Sequence, residues 1–311
     1  MSQAKIDPKL VADVAYMAIR QCATTLRCDF SDAVQSAFDQ ATEDDPASLQ
    51  RSVLQDIVQN SAIGREQGMP ICQDTGSVWV CLEVGEENDI PGNIFSELND
   101  AVSRAYEDRH LRMSIVKDAL LDRSNTNDNT PAFTDIHIVP GRSVRMHVML
   151  KGGGSDNASR LVMLPPSAGW EGIKKEVLAC VREKAANACP PLLIGVGVGG
   201  TFDKVASLAK TALLREVGSQ AKSEELAELE VELLSEVNET EIGPGALGGT
   251  PTAVGVHINT APCHIAAFPL AINMGCCAMR SASITLVDEN GNAVSNPMQQ
   301  FDGADNSGEA L

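Results

Sequence analysis

The sequence is short of positive charge: 24 Lys and Arg stand against 42 Asp and Glu, giving a formal charge of −18. Such a field repels phosphate backbones and anionic lipid surfaces, so neither nucleic acid nor a membrane is an expected partner. It also repels small dicarboxylates, so any anion site must be built locally from a few Arg, Lys or backbone N–H groups. No 18 apolar residues run together, and residues 1–30 lack an apolar core flanked by basic residues. Neither a membrane span nor a signal peptide is expected, and the expected location is cytoplasmic. No repeat of fixed period and no Pro/Ser-rich linker divides the chain, which favours one intertwined domain over two separable ones. Paired CxxC motifs are absent too, so a local metal knuckle of the zinc-ribbon or ferredoxin kind is not expected.

What the chain does have is 311 residues, 43% of them apolar, enough for an extensive core, and nine cysteines. Their odd number and irregular spacing do not suggest a disulfide framework; in a reducing compartment they stay thiols, available to metals. Asp7-Pro8 reads as a helix cap followed by proline at the first helical position, with Leu10, Val11, Val14, Met17, Ala18 and Cys22 at helical period. Further helices are expected from about Ser31 and through Leu49, Val53, Leu54, Ile57 and Val58, so that roughly the first 66 residues form a helical layer. Beyond it the pattern predicts a strand at 78–84, a helix over 93–108, a polar loop at 122–131 and a strand at 144–150. A helix at 170–187 follows, then a strand at 192–198, helices near 203–214 and 222–238, and strands near 253–258, 265–272 and 282–287.

Cys22, Cys28, Cys81 and Cys180 fall inside such elements and are expected to be small packing residues. Cys72 in "ICQDTG", Cys189 ahead of Pro190-Pro191 and Cys276 after Gly275 sit at loop ends, where ligands tend to be placed. Positions 72, 189 and 276 are far apart, so a shared site would have to be assembled by the fold. Glycine-rich stretches at 151–157, 194–204 and 243–257 bring backbone close to other groups. One of them contains Gly195, Gly197 and Gly200 as a formal GxGxxG with Glu216 downstream, a weak dinucleotide signal, because regular βαβ units do not follow.

Six ordered blocks carry a resemblance: "PICQDTG" (70–76), "LRMSIVKDAL" (111–120), "NTNDNTPA" (125–132), "KGGGSDNAS" (151–159), "CPPLLIGVGVGGTFD" (189–203) and "HIAAFPLAINMGCCAMR" (264–280). The chain resembles the α subunit or amino-terminal domain of the iron–sulfur hydro-lyases of the class I fumarase and tartrate dehydratase type. The resemblance implies an α+β fold with a cluster-binding cleft and a [4Fe–4S] cluster on Cys72, Cys189 and either Cys276 or Cys277. The register of Ala278 and Arg280 favours Cys276. It further implies Gln73, Arg112, Gly153 and Gly154 as substrate contacts, Asp74 and His264 as proton-transfer groups, and Lys151 and Arg280 as secondary contributors. The family's catalytic threonine lies in a second domain with no counterpart after residue 290, so a separate β subunit of roughly 180–200 residues is expected. The expected organisation is a single mixed domain over 1–290 with a tail at 291–311, in an αβ or (αβ)2 assembly. The expected reaction is reversible hydration of fumarate to L-malate, with tartrate- or mesaconate-type dehydration as the alternative. A cluster-binding scaffold or redox-sensing subunit is the non-enzyme alternative.

Overall fold

The computed structural model describes residues 6–45 and 47–300. The chain is α+β, as expected, and its helices and strands sort into two compact units that share the sequence discontinuously. The first takes residues 6–27, 63–151 and 280–300, the second 28–62 and 152–279. The three amino-terminal helices are present as α1 (Pro8–Thr24), α2 (Cys28–Asp44) and α3 (Leu49–Gln67). They divide between the units: α1 belongs to the first, α2 and most of α3 to the second.

In the first unit, the Asp7 carboxylate accepts the Leu10 N–H at 3.0 Å and Pro8 occupies the first turn, which sets the start of α1. Strand β1 (Ser77–Gly85) pairs in parallel with β2 (Phe133–Val139) and antiparallel with β3 (Val144–Lys151), which pairs antiparallel with β8 (Ser281–Val287). The sheet order is β2-β1-β3-β8. Alternation places Val78, Val80, Leu82 and Val84 opposite Leu150, Val148, Met146 and Val144 on one face. That row is buried with apolar residues of α1 and of helix α4 (Leu98–Asp108). The helix expected from residue 93 begins only at Leu98, because the chain after Pro91 makes single turns, Ile94 N–H to Pro91 and Ser96 N–H to Asn93.

The second unit holds α5 (Gly153–Asn157), β4 (Arg160–Leu164), α6 (Gly169–Lys184), β5 (Leu192–Gly200), α7 (Phe202–Ala212), α8 (Glu224–Asn238), β6 (Ala253–Cys263) and β7 (Phe268–Gly275). Its sheet runs β4-β7-β5-β6. Ile194 and Val196 join the core that includes Val177 and Val181 of α6 and Leu233 and Val237 of α8. Gly195 and Gly197 point the other way, under α7: a Cβ on Gly195 would stand 2.2 Å from the Ala209 carbonyl oxygen, and one on Gly197 2.4 Å from that of Val205. These glycines admit a helix backbone against a strand. The formal GxGxxG is thus not a phosphate loop, since all three of its glycines lie within β5.

Cys22, Cys81 and Cys180 are buried as expected, but Cys28 is exposed because it is the first residue of α2 rather than part of a packed face. The carboxy-terminal segment expected at 291–311 falls partly outside the described residues; within them, the Val294 N–H bonds the Leu286 carbonyl and Gln300 bonds both backbone groups of Thr285.

Candidate functional site

In the first unit the expected site residues gather at the end of the sheet where β1 begins. Cys72, Gln73 and Asp74 precede Ser77, which is opposite Lys151. Three of the six blocks are tied together here by buried polar groups. Thr75, 1% exposed, donates its hydroxyl to the Arg112 carbonyl at 2.6 Å. Asn129, fully buried, accepts the Ser114 N–H at 2.8 Å and donates to the Gly76 carbonyl at 3.1 Å. The Tyr106 hydroxyl lies 3.0 Å from the Thr75 carbonyl and 2.8 Å from that of Gly76. Gly76 has φ +78°, and a Cβ there would meet the Lys151 backbone at 2.7 Å, so only glycine lets the turn sit against β3. The result is a turn held from beneath, with Gln73 and Arg112 exposed. Asp74 Oδ1 accepts the Gly76 N–H at 3.0 Å, an Asx turn that fixes its orientation.

Beneath this turn lies a buried cation. Arg280 is 1% exposed, and its Nε and Nη1 have no hydrogen-bond partner among the described residues. Burial pushes the Tyr106 phenol well above its ordinary value, and the Arg280 charge opposes that rise. A buried guanidinium with two of its three nitrogens unanswered by protein atoms among the described residues favours an anionic neighbour.

In the second unit the other three blocks meet at one end of its sheet. The Cys277 N–H donates to the Cys189 carbonyl at 2.9 Å. Cys189 has a left-handed backbone, φ 55°. Asn273 Nδ2 bonds Ser159 Oγ at 2.8 Å, and a Cβ on Gly154 would stand 2.8 Å from the Asn187 carbonyl oxygen, so the Gly153-Gly154 turn, Cys189 and the Cys276-Cys277 pair share this end. His264 does not. Gly275 pairs with Leu193 at one end of β5, whereas Cys263 pairs with Gly200 at the other, which separates His264 from Cys276 by the length of β7, roughly 25 Å at the usual rise per residue. His264 stands in an exposed turn, its Nδ1 accepting the Ala266 N–H at 3.1 Å, which leaves Nε2 as the protonated nitrogen of the neutral ring.

The chain leaves the first unit after Lys151 and returns to it at Arg280. Among the described residues, no three His, Cys, Asp or Glu side chains are gathered closely enough to hold a metal ion. The donor chemistry nevertheless suits thiophilic iron. Cys72 and Cys276 are partly exposed and Cys189 is exposed, all three outside regular elements. By contrast, burial pushes the Cys22 thiol up to about 12 and raises that of Cys180, so neither is a ready thiolate.

A family model described as fumarate hydratase (Fumerase) matches residues 13–285. The chain belongs to this family of hydro-lyases. It is 36% identical over 278 residues to the putative L(+)-tartrate dehydratase subunit alpha of Methanocaldococcus jannaschii, covering 88% of this chain and 96% of that one. It is 32% identical over 257 residues to the L(+)-tartrate dehydratase subunit alpha of Escherichia coli strain K12 and to that of Shigella boydii, covering 81% of this chain and 84% of each. These relatives carry the tartrate name, so they lend no support to fumarate as this chain's own substrate. No helix among the described residues is long and apolar enough to cross a membrane.

Sequence reasoning missed the groups that hold the site from below. Tyr106 sits on α4 and reads as one more apolar-face residue. Asn129 reads as one of several turn formers in "NTNDNTP", and its left-handed φ of 58° becomes visible only in the structure.

Proposed function

We propose that this chain is the α subunit of an iron–sulfur hydro-lyase that interconverts a four-carbon hydroxydicarboxylate and its dehydrated form. The supporting observation is the turn held by Thr75, Asn129 and Tyr106, which presents exposed Gln73 and Arg112 together on a rigid base. Cys72, Cys189 and Cys276 would hold a [4Fe–4S] cluster. Held by three thiolates, such a cluster keeps one iron open as a Lewis acid toward the substrate hydroxyl.

The remaining work falls to the chain's own groups. The Arg112 guanidinium makes a two-point contact with a substrate carboxylate and supplies local positive charge in an acidic protein. The Gln73 amide orients the substrate by hydrogen bonding. Asp74, oriented by its bond from the Gly76 N–H, is the chain's own proton-handling carboxylate. Gly153 and Gly154 let the substrate approach backbone. His264 is assigned no step at this centre, because its own sheet carries it away from Cys276. The second base comes from a β subunit, and the complex works in the cytoplasm.

L(+)-tartrate is the substrate favoured by the names of the relatives, and fumarate/L-malate by the family description. Anaerobic kcat/KM of the chain reconstituted with its partner subunit, measured on L-malate, fumarate and L(+)-tartrate, decides between them. No turnover of any of the three by a cluster-loaded pair would remove the enzyme proposal in favour of a scaffold.

A further inference from the structure

Arg280 is a cation with no task in the chemistry assigned above. It is 1% exposed, and among the described residues its Nε and Nη1 have no hydrogen-bond partner and no carboxylate is paired with it. A buried charge is costly unless an opposite charge answers it, and arginine cannot escape that cost by losing its proton. Its burial also keeps it from the two-point substrate contact given to exposed Arg112.

The position of the guanidinium follows from the sheet. The Leu150 N–H donates to the Arg280 carbonyl at 2.9 Å, and Leu150 lies opposite Val78 on the core-facing row. Ser281 pairs with Met149 on the other face, so alternation turns Arg280 inward, toward α1 and α4. One residue of each helix feels its charge: burial raises the Cys22 thiol and the Tyr106 phenol, and the guanidinium opposes both rises. The same stretches of helix anchor the turn that carries Cys72. Ala23, next to Cys22, accepts the Ile71 N–H at 3.0 Å, and the Tyr106 hydroxyl lies 2.8 Å from the Gly76 carbonyl. Arg280 thus stands behind both ends of the Cys72 turn, inside one unit of the fold.

A cubane held by three thiolates is a net anion in its resting state, and a bound dicarboxylate adds to that charge. In a chain of formal charge −18, the compensation has to be local, and a cation acts most strongly where water is excluded. We propose that Arg280 is the buried counter-charge of the cluster, a positioning residue that stabilises its negative charge, and so raises its reduction potential, without touching substrate. The inference rests on the cluster proposed at Cys72, Cys189 and Cys276.

The test is an EPR-monitored redox titration of the full chain, reconstituted anaerobically with iron and sulfide. Arg280→Met and Arg280→Gln remove the charge, and each should shift the cluster midpoint to a more negative potential with an unchanged circular dichroism spectrum. Arg280→Lys keeps the cation and guards against poor folding of the neutral variants. A buried lysine can lose its proton where arginine cannot, so its midpoint should match wild type in mildly acidic solution and fall below it as pH rises. A wild-type midpoint in both neutral variants would overturn the inference. So would an Arg280→Lys midpoint whose difference from wild type does not change with pH, since packing rather than charge would then be at work. A wild-type chain that takes up no iron and sulfide would remove the cluster and this inference together, whereas a loaded wild type with unmoved variants removes the inference alone.

Discussion

Thr75 donates its hydroxyl proton to the carbonyl oxygen of Arg112 at 2.6 Å, out of contact with water. The bond joins the first cysteine turn to the segment that carries the arginine, so positions far apart in sequence are fixed relative to each other by one buried group. Thr75→Val keeps the shape and removes the donor. Stability should fall by about 1–3 kcal/mol, the usual cost of a buried unpaired carbonyl. KM should rise while Thr75→Ser stays near wild type. Urea unfolding and steady-state kinetics check both.

Asn129 carries two such bonds and a left-handed backbone. Asn129→Ala loses the amide and takes on the steric cost of φ > 0, for a loss of about 3–5 kcal/mol in all. Asn129→Gly loses only the amide and should recover about 1 kcal/mol of that difference. Equal midpoints for the two variants would show that the backbone conformation contributes nothing.

Gly197 gives a measure of the α7 contact. A side chain there meets the Val205 carbonyl oxygen, so Gly197→Val should destabilise the second unit by about 1–3 kcal/mol through overpacking. Because these glycines pack a helix and cradle no phosphate, equilibrium dialysis of the wild-type chain should show no saturable NAD binding.

How much of this was legible beforehand depended on where an element lies in its sheet. The central strands β1 and β5 announce themselves by continuous β-branched and apolar runs, because both of their faces are covered, whereas β3 shows an alternation of Val144, Met146, Val148 and Leu150 with Arg145 and His147 that reads as half-buried, although all of it but Arg145 is buried. The strands with no sequence expectation, β2 and β4, are both edges, and their exposed or half-buried residues break the pattern that the interior strands keep. In the site, loop-end position singled out Cys72, Cys189 and Cys276, and family blocks singled out Arg112. Asn129 and Tyr106 were missed because their work is to satisfy backbone groups of segments remote in sequence, which no local period records. The distance of His264 from Cys276 was hidden for the opposite reason: closeness in sequence suggests closeness in space, but an extended strand turns a short interval into a long separation.

The pair Glu83 and His147 sets a pH dependence of stability. His147 Nε2 stands 3.3 Å from Glu83 Oε2. The imidazole holds the Glu83 carboxyl below its ordinary value of 4.5. A carboxyl depressed in the fold contributes stability above that value and loses it as pH falls through the lower, folded one. Wild type should therefore exceed Glu83→Gln in urea midpoint near neutral pH, with the gap narrowing as pH falls below 4.5. A gap that widens in acid would reverse the sign of this interaction.

Thiol chemistry separates the proposed ligands from the packing cysteines. With its thiol pushed up to about 12 by burial, Cys22 should resist iodoacetamide at mildly alkaline pH in the folded protein, together with buried Cys81 and Cys180. Cys72, Cys189 and Cys276 should be alkylated readily in the apo chain and protected after iron and sulfide are restored, by mass spectrometry of the digested protein.

The cluster is the claim on which the proposed chemistry rests, and anaerobic iron and sulfide analysis with EPR tests it most directly. Wild type and Cys277→Ser should each carry close to a full cubane, whereas Cys72→Ser, Cys189→Ser and Cys276→Ser should each lose most of it while keeping their secondary structure. Iron and sulfide contents unchanged by all three of these substitutions would contradict the account.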